Sequence, residues 1–171
     1  LRFPYFSLPY VGRFIYKALF SFLNEFLALR GLKNENEVII NKKEGKNKTD
    51  YINLKNKYHG KHIFRPKKGI DCHIEFFETE RCTELFFLYY FKYTTKLYNH
   101  SNEVEADLSK ECGYAKTTDF FRRHPLHQFF TQQGGSIYDA ISNADKSMAT
   151  AEDRGYTFSE LGRMFKMLGI D

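Results

Sequence analysis

The amino-acid sequence predicts a mainly α-helical protein in three parts: an N-terminal apolar helix over residues 1–31, a basic irregular arm with at most short strands over 32–70, and a multi-helix domain over 71–171. Three observations carry that prediction. The opening is almost continuously apolar apart from one narrow polar stripe. The middle is rich in Lys and Asn. The remainder carries helix starts, apolar stripes and stops that agree with one another.

The opening reads "LRFPYFSLPYVGRFIYKALFSFLNEFLALRG", with Pro9 suited to a first helical turn and Gly31 to a stop. Arg13, Lys17, Ser21 and Asn24 with Glu25 recur at helical spacing, and nearly everything between them is apolar. About twenty residues span roughly 30 Å, the thickness of a bilayer core. Phe14, Ile15, Leu19, Phe22, Leu23 and Phe26 form the anchoring face, for a membrane or for a partner subunit. A small soluble domain would struggle to bury so broad a surface.

The charge is uneven. The whole chain carries +5, yet residues 41–70 hold Lys42, Lys43, Lys46, Lys48, Lys55, Lys57, Lys61, Arg65, Lys67 and Lys68 against only Glu44 and Asp50. Such a patch attracts phosphate, in lipid head groups or in nucleic acid. Tyr51, Tyr58 and Phe64 interleave with the lysines, as stacking platforms do in single-strand binders. Low hydrophobicity and high charge argue against spontaneous collapse. "EVIIN" and "DYINLK" are the candidate short strands.

Helical signals dominate beyond Gly69. "ETERCTELFFLYYFKYTTKLYN" reads as one long aromatic-rich helix over about 78–99. Ser101 is placed to cap "NEVEADLSKEC", with Gly113 at its stop. Gly134 and Gly135 halt "LHQFFTQQ", and Ser136 with Asp139 has capping-box spacing. Ile137, Ile141, Ala144 and Met148 lie on one helical face behind it. Thr157 and Glu160 form a second capping box before "FSELGRMFKML".

Cys72 and Cys82 enclose nine residues, "HIEFFETER". On one helix that separation rises roughly 15 Å, beyond the roughly 4.4–6.8 Å between Cα atoms that a disulfide needs. A Cys72–Cys82 disulfide therefore requires a turn between them, and ordinary thiols are the expected state. The spacing resembles the Cys-x9-Cys helical hairpins of the mitochondrial intermembrane space. That family uses two such motifs, whereas Cys112 has no partner ten positions before it (Asn102) or after it (Arg122).

The His59/His62 and His124/His127 pairs lack the repeated tight spacing of structural zinc sites, so no metal is expected. The ending "DRGYTFSELGRMFKMLG" resembles the exiting half of an EF-hand. With Glu160 as the last ligand, however, Ala149 and Ala151 stand where carboxylates are needed. No phosphate-loop, nucleophile-elbow or dinucleotide fingerprint occurs, and no catalytic residue, cofactor or small-molecule substrate is assigned.

The sequence leads to a non-catalytic accessory or structural subunit of a large membrane-associated assembly, of the mitochondrial respiratory-chain or ATP-synthase kind. Its partners would be other protein subunits and an anionic membrane surface. The inner-membrane expectation rests on the start at Leu1, the basic balance and the apolar opening. The alternative is an RNA-binding structural component of an organellar ribosome. A small metal-binding domain or enzyme is the third reading.

Overall fold

A computed structural model describes residues 46–68, 70–154 and 157–170. The N-terminal anchor, with Phe14, Ile15, Leu19, Phe22, Leu23 and Phe26, lies outside the described residues, as do Lys42, Lys43 and the strand candidate "EVIIN". In chain order come α1 (Lys46–Tyr58), β1 (Lys61–Arg65), a 3-10 turn (Pro66–Lys68), β2 (Ile70–Ile74), α2 (Glu84–Leu88) and α3 (Ser101–Cys112). Four further helices complete it: α4 (Thr118–Arg123), α5 (Leu126–Gln132), α6 (Ile137–Arg154) and α7 (Leu161–Met167). The fold is mainly α, and among the described residues no helix is long and apolar enough to cross a membrane.

In its described part, residues 46–68 and 70, the predicted irregular arm is instead a helix followed by a hairpin of short strands. "DYINLK" is helical within α1, not a strand. Lys55 and Lys57 fall in the last turn of α1, where cations suit the negative end of the helix dipole. Gly60 then adopts a left-handed φ of 71°, and its N–H donates to Ile74 O at 2.8 Å. That one glycine both stops α1 and hooks it to the start of an antiparallel pair. Its register is Lys61–Ile74, His62–His73, Ile63–Cys72, Phe64–Asp71 and Arg65–Ile70.

The helical body is built round α2. All five of its residues, Glu84, Leu85, Phe86, Phe87 and Leu88, are buried, as expected of a helix enclosed on every side. Phe86 stacks on Phe165 of α7 at 5.2 Å and 10° between planes. Phe87 and Tyr90 each lie 5.2 Å from Phe130 of α5, which is itself fully enclosed. Each such ring contributes about 1.5–3 kcal/mol by leaving water. The Phe86–Phe165 pair is stacked and the pairs at Phe130 are tilted, at 41° and 53°, while Phe91 meets Phe130 edge to face at 90°.

The long helix predicted over about 78–99 is not formed; α2 covers five residues of it. Tertiary hydrogen bonds end it. A helix continuing through Tyr93 and Thr94 would need the carbonyls of Tyr89 and Tyr90. Here Tyr89 O accepts from Asn143 Nδ2 (3.0 Å) and Tyr90 O from Ser136 N (3.0 Å), both from the region of α6. The chain before α2 is also extended: Thr79 bridges Ser159, with Glu80 N donating to Phe158 O and Glu160 N to Glu78 O.

Caps follow the sequence with shifts. His100, not Ser101, precedes α3 with extended backbone, and its N–H donates to Glu103 Oε1 at 3.2 Å. Gly113 ends α3 with φ 71°. Ser136 Oγ accepts from Asp139 N (3.3 Å), as its spacing predicts. Thr157 does not cap α7. Its hydroxyl accepts from Tyr98 N and donates to Lys96 O, pinning the extended 96–98 segment, while Glu160 sits at the helix start.

Candidate anionic-partner interface on the basic hairpin

Between Lys46 and Ile74 the sequence carries eight lysines and arginines against two aspartates. From Glu75 to Asp171 it carries eleven against fifteen. The structure thus divides into a basic helix–hairpin unit and an acidic helical body, and pairing sharpens the contrast. In the body, Lys116 pairs with Glu84 and Glu105, Lys96 and Lys110 with Asp107, Lys92 with Glu111, Lys166 with Asp145, and Arg163 with Glu75. In the basic unit, Lys55 reaches across to Glu78 at 3.0 Å and so ties α1 to the body. Lys57, Lys61, Arg65 and Lys67 have no carboxylate partner among the described residues. Lys57 Nζ sits 5.0 Å from the centroid of the Tyr58 ring.

Strand alternation sorts the hairpin side chains onto two faces. Lys61, half-buried Ile63 and Arg65 share one. His62 and Phe64 share the other with their register partners His73 and Asp71. On this second face the His62 and His73 rings stack at 4.6 Å and 13°, and Phe64 lies 6.3 Å from His62 at 31°. His62 Nε2 is 2.5 Å from Asp71 Oδ1. Phe64 is 63% exposed, so a hydrophobic ring stands in water beside a basic rim. Ile52 and Leu54 of α1 are also exposed. His59 faces the body, where its Nδ1 accepts from Phe76 N at 3.2 Å.

Of the predicted anionic-contact residues, Lys46 and Lys48 belong to α1 and Lys68 to the 3-10 turn. Lys57, Lys61, Arg65 and Lys67 supply unpaired charge, and Lys55 is spent on Glu78. The sequence reading did not single out His73 and Asp71. Their signal lay in the alternation of "KHIFR" against "IDCHI" across a short Pro-Lys-Lys-Gly turn, which pairs His62 with His73.

Cys82 and Cys112 are free thiols. Cys82 is free and buried rather than half of a disulfide with Cys72, which stands in β2 opposite Ile63. Burial and the neighbouring Glu84 carboxylate push the Cys82 thiol far up, which leaves it a poor nucleophile. Burial likewise raises Cys112 to about 11, and its Sγ donates to Leu108 O at 3.4 Å. Beside Cys82, Glu84 Oε1 accepts from Tyr114 Oη at 3.1 Å and from Lys116 Nζ at 2.8 Å. Burial works against the Lys116 charge, but Glu84 and Glu105 outweigh it and raise its pKa. This buried cluster locks α2 to the chain after α3.

His124 and His127 do not converge. His124 packs on Phe120 and Phe129, while His127 Nδ1 lies 3.2 Å from Tyr90 Oη and burial lowers its pKa. Among the described residues no group of three or more His, Cys, Asp or Glu converges as a metal site. No protein family, curated protein or solved structure matches the chain.

Proposed function

We propose that the protein is a non-catalytic structural subunit of a larger assembly, held to its partners through the basic helix–hairpin unit. One observation carries this reading: unpaired cations and exposed apolar side chains coincide on α1 and the hairpin. Isolated exposed residues of either kind are ordinary, but a thinly packed unit presenting both is suited to contact. The helical body supplies the rigid support: the rings of Phe86, Phe87, Tyr90, Phe130 and Phe165 are enclosed, and most of its lysines are paired with its own acids, although Leu97, Tyr138 and Met167 are exposed.

A membrane-associated setting, of the respiratory-chain or ATP-synthase kind in the mitochondrial inner membrane, draws its support from the broad apolar face over Phe14–Phe26 in the sequence. The test is the native mass of the full chain isolated from its source in mild detergent. Migration at many times 20.3 kDa together with other proteins supports the reading. A clean monomer refutes it.

A further inference from the structure

We propose that the His62/Phe64/His73/Asp71 face of the hairpin binds single-stranded nucleic acid, with a preference for bases that carry an exocyclic amino group. The proposal rests on the hairpin being a docking surface, as argued above, and names what it takes. Three features of the face select this partner together. Phe64 offers a ring that is 63% exposed, and the stacked His62–His73 pair offers a second flat surface 6.3 Å away, so two bases can each find a ring to stack on. Lys61 and Arg65 lie on the opposite face of the two-stranded ribbon and Lys67 in its turn, with no carboxylate partner among the described residues, and their long side chains can reach phosphates that pass along the ribbon edge.

Asp71 is the third feature. It is the register partner of Phe64 and sits on the same face, with a side chain 68% exposed. Its Oδ1 lies 2.5 Å from His62 Nε2, and neither a phosphatidylglycerol headgroup nor an acidic side chain brings an N–H from which the carboxylate can accept. A base stacked on Phe64 can use it, because a carboxylate accepts from the exocyclic amino group of cytosine or adenine, which uracil lacks, leaving uracil only its N3–H to donate.

The experiment is fluorescence anisotropy of labelled oligonucleotides of about 12 nucleotides, oligo-rC, oligo-rU and oligo-dC, with the full chain in mild detergent across a salt series. Oligo-rC should bind more tightly than oligo-rU, and D71N should remove that difference. F64A should weaken binding about 5- to 100-fold with an unchanged salt slope, since it removes stacking and no charge. R65A or K67A should each flatten the slope of log K against log salt by about 0.7. Phe64 is exposed, so unaltered circular dichroism is expected of F64A and confirms that a loss of affinity is not a loss of fold.

Equal binding of oligo-dC places recognition on phosphate and base rather than ribose and supports the proposal. Binding that is indifferent to F64A overturns it and reduces the site to bare charge. Binding to phosphatidylglycerol vesicles without binding to any oligonucleotide overturns it also. A monomer that binds oligo-rC sinks the assembly reading and leaves this one standing. A large native complex whose subunit ignores every oligonucleotide does the reverse.

Discussion

Removing the ammonium of Lys116 should destabilise the protein more than any exposed charge deletion, and removing its partner as well should restore most of the loss. Glu84 is 3% exposed, and its Oε1 lies 2.8 Å from Lys116 Nζ. At an effective dielectric of about 20 the gross attraction is about 6 kcal/mol, most of which offsets the desolvation of the two groups. Lys116→Met leaves Glu84 with the neutral Tyr114 hydroxyl and Cys82 thiol and no cation, and Glu84 Oε2 already has no hydrogen-bond partner among the described residues. An uncompensated buried carboxylate costs about 3–5 kcal/mol. Lys116 is itself 23% exposed, so the lower end, about 3 kcal/mol, is expected.

The double variant Glu84→Gln/Lys116→Met keeps an acceptor for Tyr114 and buries no charge, and should fall within about 1.5 kcal/mol of the parent. Urea denaturation followed by tyrosine fluorescence reads both, because the chain has twelve Tyr and no Trp. A loss of about 3 kcal/mol lowers the midpoint by roughly 1.5–2 M for a slope of about 1.5–2 kcal/mol/M. Lys110→Ala, whose side chain is 74% exposed, is the control and should move stability by less than about 1 kcal/mol. A Lys116→Met cost below about 1 kcal/mol, or a double variant worse than the single, would refute the reasoning.

Three further outcomes are expected. Gly162→Ala in α7 gains about 1 kcal/mol of helix propensity, yet its new Cβ would lie 2.9 Å from Ala144 Cβ and 3.0 Å from Ile141 O; a net loss of about 1–2 kcal/mol in thermal unfolding is expected, and a gain would show that α6 and α7 can part freely. Asp107 is held down at about 2 from an ordinary 3.8, chiefly by the Lys96 hydrogen bond, with burial opposing and Lys110 and Tyr98 adding. Its folded pKa is depressed, so its contribution is present above the unfolded pKa and fades as pH falls through the folded one. Asp107→Asn should therefore be less stable at neutral pH by a margin that shrinks between about pH 4 and pH 2, and a pH-independent margin in acid titrations of the two proteins would contradict this. Cys82 should resist iodoacetamide at pH 8 in the native state and react once the chain is unfolded in urea; native labelling mapped to its peptide would show that the α2 start opens easily.

The local punctuation of the C-terminal half was legible in the sequence, and the tertiary claims on it were not. Gly113, Gly134 and Gly169 take left-handed backbone at or just beyond helix ends because they lack Cβ, a property visible in one residue. The capping bond from Ser136 to α6 is equally local. The end of α2 is a different kind of fact, since the Tyr89 and Tyr90 carbonyls are taken by residues about fifty positions away, which no window on "LFFLYYFKYTT" can reveal. Thr157 fails as a cap for the same reason, because the 96–98 segment uses its hydroxyl. In the arm, "DYINLK" fits a helix face as readily as a strand, and the decision fell to Gly60 and the β2 partner beyond it. The residues of the basic patch were visible as charge; their division into a paired Lys55 and unpaired Lys57, Lys61, Arg65 and Lys67 depends on where Glu78 lies in the fold.

That division also fixes where stability should respond to a partner. The attachments of α1 to the body include the Lys55–Glu78 pair and the bond from Phe76 N to His59, while Ile52 and Leu54 remain exposed. A helix of 13 residues is marginal in water alone, and so is a two-stranded hairpin. Their opening should therefore cost far less than opening of α2, whose five residues are all buried. Hydrogen exchange should find the amides of α1 and the hairpin exchanging well before those of α2 and α3 in the isolated chain. A ligand that binds only the closed hairpin, present at a hundred times its Kd, adds about 2.7 kcal/mol and should slow those amides roughly a hundredfold while leaving α2 unchanged. Protection of α1 already equal to that of α2 in the isolated chain would mean that the unpaired cations sit on a surface as firmly built as the core, and the docking role of the unit would lose its physical basis.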